Sequence, residues 1–132
     1  MRLSHASTYA LQALAHLAAA GPDRRVASHD IARARGIPER FILKVLRPLV
    51  SSQLVRSLKG PHGGYRLTRP AARITLLEVV EAVEGPIRGE AQAVSQAGAG
   101  LHSRLQQVCE GVAGLVRRRL SRVRLADLAG ER

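Results

Sequence analysis

The sequence predicts a mainly α-helical fold carrying one small β-hairpin, and three observations predict it. Residues 27–53, ASHDIARARGIPERFILKVLRPLVSSQ, read as two amphipathic helices joined by a tight turn at Gly36. Directly after them, LKGPHGGYRL at 58–67 sets a glycine-rich tip between two short strand-like runs, 54–58 and 65–68. From Leu101 to about Val123, apolar residues recur at alternating spacings of four and three, the pattern of a seam between paired helices. Two helices, a turn and a basic hairpin make a winged helix-turn-helix, whose usual ligand is duplex DNA. The expected organisation is a winged-helix domain over 1–84, a flexible linker over 85–100, and a dimerisation helix with a C-terminal tail over 101–132.

The first helix is expected over about 7–20. Leu11, Leu14, Leu17 and Ala18 follow helical spacing, and Gly21-Pro22 stops it. The alanine-rich start superficially suggests a signal peptide, but Gln12 and His16 interrupt it on one helical face, which argues for an amphipathic helix. Ser28 is a good N-cap for the second helix, with Asp30 placed to complement its dipole and Ile31 and Ala32 facing inward. Pro38 suits the first turn of the third helix, and Pro48 is expected to end or bend that helix near Arg47.

The third helix has two faces. Ile42, Val45, Leu46 and Leu49 form the stripe that packs inward, while Arg40, Leu43, Lys44 and Arg47 form the opposite stripe. An ordinary solvated face is the bland reading of such a stripe; the turn before it and the basic hairpin after it favour a DNA-facing one. Arg40 and Lys44 suit guanine edges or phosphates. Lys59, His62 and Gly63 are the corresponding wing residues, and Tyr65 is expected to pack structurally beneath the wing.

Thr75-x-x-Glu78 is a capping box opening a fourth helix, ITLLEVVEAVEG, closed by Gly85-Pro86. Leu76, Leu77, Val79, Val80 and Val83 make that helix mostly core. Residues 85–100 are rich in Gly, Ala and Gln without periodicity and read as a mobile linker. In the last long helix Leu101, Leu105, Val108, Val112 and Leu115 form the seam, so pairing with a second copy is expected. Gly111 and Gly114 each cost about 1 kcal/mol relative to alanine; they either weaken the helix or let a second backbone approach. The cations of RRRLSRVR, 117–124, complement the dipole at the helix end, with direct phosphate contact the alternative. LADLA, 125–129, suits a final short helix.

Charge points to the partner. With 21 Lys and Arg against 10 Asp and Glu, the chain carries a formal charge of +11, which predicts a polyanion such as double-stranded DNA. Compositional drift toward Arg over Lys does not by itself create that excess. The single cysteine, Cys109, excludes an intramolecular disulfide and any CxxC zinc or redox site. It is either a small apolar filler or, near a twofold axis, a redox switch through an intersubunit disulfide. No apolar run reaches the ~18–20 residues of a membrane span, so no membrane partner and a cytoplasmic location are expected. His5, His16 and His29 show no metal-ligand spacing, and no nucleophile triad, phosphate loop or carboxylate pair suggests an enzyme.

With these segments in view, the chain resembles the Rrf2 family of dimeric bacterial winged-helix regulators, of the IscR, NsrR and CymR type. MRLS at the start, Tyr9-Ala10, IA at 31–32, RGI at 35–37, LRPL in the third helix, KGPHGGYRL, ITLLEVVEAVEG and the late LADL carry the resemblance. It implies a homodimer whose long C-terminal helices cross, bringing two winged helices onto a pseudo-palindromic operator. It also implies that Arg40, Leu43 and Lys44 lie on the DNA face and that the wing enters the minor groove near Lys59 and His62. Leu43 replaces a polar side chain of some members, so it can touch a thymine methyl without hydrogen bonding and the operator should differ. Better-known members hold an iron–sulfur cluster with three linker cysteines; here 85–100 contains neither Cys nor His. His102, Glu90 and Cys109 are no substitute for soft thiolates, so no cofactor is expected. The leading expectation is a sequence-specific transcriptional regulator, a repressor, without a cluster. The alternatives are regulation through a protein or small-molecule effector near the linker and long helix, or an interaction or general nucleic-acid-binding module without operator selectivity.

Overall fold

Ser4 starts the first helix. Its Oγ accepts the Ser7 N–H at 3.1 Å, so α1 runs His5–Ala20 and begins two residues before the expected start. The computed structural model describes residues 1–93 and 98–130. Ala10, Ala13, Leu14 and Leu17 of α1 are buried, and Gly21, at φ 95, ends the helix. The polar residues Gln12 and His16 are used: Arg35 donates to Gln12 Oε1 at 3.3 Å and to His16 Nδ1 at 3.4 Å. Burial, and then the Arg35 charge, push the His16 pKa below its ordinary value.

α2 spans Ser28–Arg35, which corrects the expected cap: Ala27 holds the N-cap position and Ser28 makes no capping bond. The cause lies one residue upstream. Val26 is held extended by two backbone bonds with Tyr65, at 2.9 and 2.8 Å, so the chain turns helical immediately after it. Gly36, at φ 66 and ψ 29, makes the left-handed turn into α3 (Glu39–Ser51). Pro38 precedes α3 as its N-cap rather than lying in its first turn. Of the two outcomes expected at Pro48, an end or a bend, the helix does not end there but runs on to Ser51. The proline removes one N–H, but Leu46 and Leu49 are buried on either side and the Ser52 N–H still reaches the Pro48 carbonyl at 3.0 Å.

The wing is an antiparallel pair, β1 (Val55–Leu58) and β2 (Gly64–Leu67), in the register Val55↔Leu67 to Leu58↔Gly64. A 3-10 turn at Ala71–Arg73 leads to α4 (Leu76–Glu84). Thr75 Oγ1 accepts the Glu78 N–H at 3.1 Å, whereas the Glu78 carboxylate pairs with Arg69 instead of completing the capping box. The long α5 spans Ala99–Ser121 and α6 spans Leu125–Leu128. Backbone bonds of 2.8 Å from Leu76 to Val123 and from Leu125 to Ile74 stitch the tail onto the N-terminal core. Leu125, 1% exposed, joins the cluster of Leu14, Ile31, Leu46, Leu49 and Ile74. The tail, grouped with the long helix from sequence, therefore packs on α1 and the 3-10 turn before α4.

Residues 85–93, in the expected linker, contact α4 and α5: Ile87 N–H donates to Glu81 at 2.9 Å, Ala91 N–H to Gln106 at 2.9 Å, and Gln106 Nε2 to the Gly89 carbonyl at 2.6 Å. A Cβ on Gly89 would stand 1.9 Å from the Cys109 carbonyl oxygen, so only glycine lets this segment lie on α5. Ala99 and Gly100 are already helical; the part of the expected linker at 94–97 lies outside the described residues.

Candidate nucleic-acid interface

α3 presents its two faces as the sequence pattern requires. Ile42, Val45, Leu46 and Leu49 are at most 4% exposed, while Arg40, Leu43, Lys44 and Arg47 are exposed, Leu43 at 54%. Among the described residues none of the three cations on this face enters an ion pair. Burying one stripe in the core fixes the rotation of the helix, which fixes what the other stripe shows to solvent. Arg40 is further ordered: its guanidinium carbon lies 4.7 Å from the Phe41 ring centroid, and Phe41 stacks on Tyr9 at 6.4 Å and 22°. Tyr9 and Phe41 thus back Arg40 in the fold, a contact that the sequence pattern did not single out. The available signal was an aromatic ring beside an arginine in a chain with 2% aromatic residues.

The wing tip is built by its glycines. Gly63 N–H donates to the Gly60 carbonyl at 2.9 Å, and a Cβ on Gly63 would meet the Leu58 oxygen at 2.3 Å. Gly64, at φ 147, lies so close to the Val26 backbone that a Cβ would stand 2.8 Å from it. These contacts force Lys59, Pro61 and His62 outward, where all three are exposed. Arg25 donates to the His62 carbonyl at 3.5 Å, and Arg24, Arg25, Asp30, His62 and Gly63 border one open hollow of about 470 Å³. The wing tip therefore sits beside the start of α2. No described side-chain contact joins it to the cations of α3. Arg24 and Arg25, in the DRR run at 23–25 directly before the helix-turn-helix, were not singled out from the sequence.

The seam of α5 faces solvent throughout: Leu101 is 66% exposed, Leu105 48%, Val108 61%, Val112 54% and Leu115 62%. Only Ala113 and Leu120 of this 23-residue helix are buried. Cys109 is a half-buried free thiol in a groove of about 400 Å³ shared with Val80, Ile87, Val112 and Val116. Space around Gly111 is open, and the close backbone approach to α5 comes from Gly89. Arg117 pairs with Glu81, so its charge is met within the fold.

The Rrf2 family model, described as "Iron-dependent Transcriptional regulator", matches residues 3–131. The residues present do not fit an iron–sulfur cluster. Cys109 is the sole thiol, residues 94–97 are Val, Ser, Gln and Ala, and no three metal-ligating side chains converge among the described residues. Among relatives, the HTH-type transcriptional regulator IscR of Cereibacter sphaeroides is 31% identical over 134 residues, covering 97% of this chain and 86% of its own length. Protein aau3 of Rhizobium meliloti is 43% identical over 84 residues, 64% of this chain and 54% of its own. The chain spans about half the length of several curated relatives it matches. The global cysteine regulator CymR of B. subtilis has the same fold, with a TM-score of 0.77 at 23% identity over 100% of this chain and 98% of its own. The helix-turn-helix, the glycine-built wing and a family match running almost end to end agree, and the chain belongs to the Rrf2 family of transcriptional regulators.

Proposed function

We propose that the chain is a homodimeric, sequence-specific DNA-binding repressor, acting in the cytoplasm on a pseudo-palindromic operator without an iron–sulfur cluster. The observation that carries this reading is the outward stripe of α3. Arg40, Lys44 and Arg47 surround an exposed Leu43 on a helix whose other face is locked in the core. Placed in a major groove, Arg40 and Lys44 hydrogen-bond guanine edges or phosphates, and Leu43 packs on a thymine methyl. Lys59, His62 and Gly63 carry the wing along the adjacent minor groove, and Arg24 and Arg25 meet phosphates beside it. The +11 charge supplies the non-selective part of the affinity through counterion release.

The proposed dimer is supported by α5. Its 23 residues span about 34 Å, and its apolar seam is left without cover in the single chain. A second copy of the same helix is the complementary surface, since a twofold axis sets each seam against itself. Two copies double the DNA contacts and set two half-sites. Occupying such a site blocks other proteins from the same duplex, hence the assignment as repressor. Selection of bound duplexes from a random pool tests the reading. Enrichment of an inverted repeat, with half-sites about one helical turn apart, is the expected result; a pool that stays random contradicts it.

A further inference from the structure

The hairpin carries two like charges that the fold leaves unbalanced. Arg56 lies directly opposite Arg66 in the register of β1 and β2. Cross-strand partners stand ~4.5–5.5 Å apart at Cβ, and like charges there repel. The ion pairs among the described residues are Arg69–Glu78, Arg117–Glu81 and His29–Asp30, so no carboxylate meets either guanidinium. Neither makes a side-chain hydrogen bond to another described residue. Arg69 nearby is different: the Arg73 carbonyl at 2.9 Å and the Glu78 carboxylate already hold it.

Arg56 and Arg66 face into a cleft of about 430 Å³ between the end of α1 and the root of the wing. That size falls within the ~300–1,000 Å³ typical of small-molecule sites. Leu17, Ala18, Pro22 and Leu67 supply an apolar wall to the same cleft. A bare phosphate would satisfy the guanidiniums and leave that wall wet; a neutral apolar molecule would use the wall and leave the repulsion standing. An anion with a hydrocarbon body uses both.

We propose that this cleft binds a small organic acid, its carboxylate bridging Arg56 and Arg66 and its apolar body lying against Leu17, Ala18 and Pro22. Guanidinium is the side chain best matched to a carboxylate, by charge and by planar geometry. The site also has a route to the helix-turn-helix. Arg66 adjoins Tyr65, whose backbone bonds to Val26 two residues before α2. A ligand on β2 therefore acts on the strand that ties the wing to the DNA-facing helices. That consequence rests on the DNA-binding reading; binding of the acid does not.

The test is a titration of hexanoate into the isotope-labelled full chain, followed by amide resonances, with acetate, hexanol and inorganic phosphate as comparison probes. Saturable shifts at Leu17, Ala18, Gly21 and 66–69 are expected, with each comparison probe binding at least roughly tenfold more weakly. The double variant Arg56→Gln/Arg66→Gln should lose at least about tenfold in hexanoate affinity. Its melting temperature should match or exceed that of the parent, because the repulsion is gone. The proposal fails if hexanoate does not saturate, if its shifts map to α3 or the α5 groove, or if the double variant binds it equally. It also fails if phosphate binds as well as hexanoate. A chain that binds hexanoate here but no DNA sinks the DNA reading and leaves the acid site standing.

Discussion

The Glu84 carboxylate accepts a hydrogen bond from the Ser7 hydroxyl, tying the last residue of α4 to the first turn of α1. The same oxygen accepts from the Ser4 N–H at 3.0 Å and the Ser4 hydroxyl at 2.9 Å. Ser7 is fully buried, so its hydroxyl depends on this partner. The Ser7 bond first, then the Ser4 backbone bond, lower the Glu84 pKa against the opposing effect of burial. A depressed carboxyl pKa contributes stability above the unfolded-state value, and that contribution is lost as pH falls through the folded-state value. Glu84→Gln should therefore destabilise the fold near neutrality, by no more than about 0.5–1 kcal/mol because the carboxylate is exposed and screened by solvent. The gap to the parent should close in acid, below the carboxylate range. Thermal melts at the two extremes check it; a gap unchanged in acid contradicts the assignment.

Gly64→Ala should destabilise the wing by about 1–3 kcal/mol, because the added methyl meets the Val26 backbone at a φ that alanine resists. Gly111→Ala is the contrast: open space surrounds that helical glycine, and the helix should gain up to about 1 kcal/mol. Denaturant unfolding of the two variants measures both. Equal effects would mean that the close approach at Gly64 is not what sets the cost.

How much of this was legible in the sequence depended on how local the cause was. The stripe of Ile42, Val45, Leu46 and Leu49, the stop at Gly21 and the turn at Gly36 follow from periodicity and backbone freedom, which a short window contains. The start of α2 did not, because it is set by Val26 bonding to Tyr65, thirty-nine residues away in the chain. The same holds for Pro48, whose neighbours are held by the core, and for Gly89, whose fit against Cys109 needs two elements in place. On the candidate interface, charge and spacing singled out Arg40 and Lys44. The Tyr9–Phe41 stack behind Arg40 joins two helices, and no window of sequence shows it.

Leu105→Glu with Val112→Glu should leave a monomer or an aggregate, since both positions lie on the exposed seam and would set like charges against each other across a twofold axis. Sedimentation of the parent should give twice 14.2 kDa. A parent that remains monomeric at micromolar concentration contradicts the dimer.

Arg40→Ala or Lys44→Ala should weaken operator binding by about 1–3 kcal/mol and relax sequence preference if the lost contact is bidentate to a base. Lys59→Ala should weaken binding evenly across sequences and reduce the salt slope by about one. Binding isotherms at several salt concentrations separate the two behaviours. Parent-like binding by both helix variants would remove α3 from the interface.

Protein purified without oxygen should be colourless and hold no stoichiometric iron or sulfide, because the chain has one thiol where a cluster needs several. Visible cluster absorption with matching iron content would contradict this.

Competition between a selected operator and random duplex at fixed salt tests the central claim most directly. A regulator that reads bases through Arg40, Leu43 and Lys44 should prefer its operator by about 10³-fold or more. If random DNA competes as well as the operator, the +11 charge alone explains binding, and the chain is a nucleic-acid-binding module without operator selectivity.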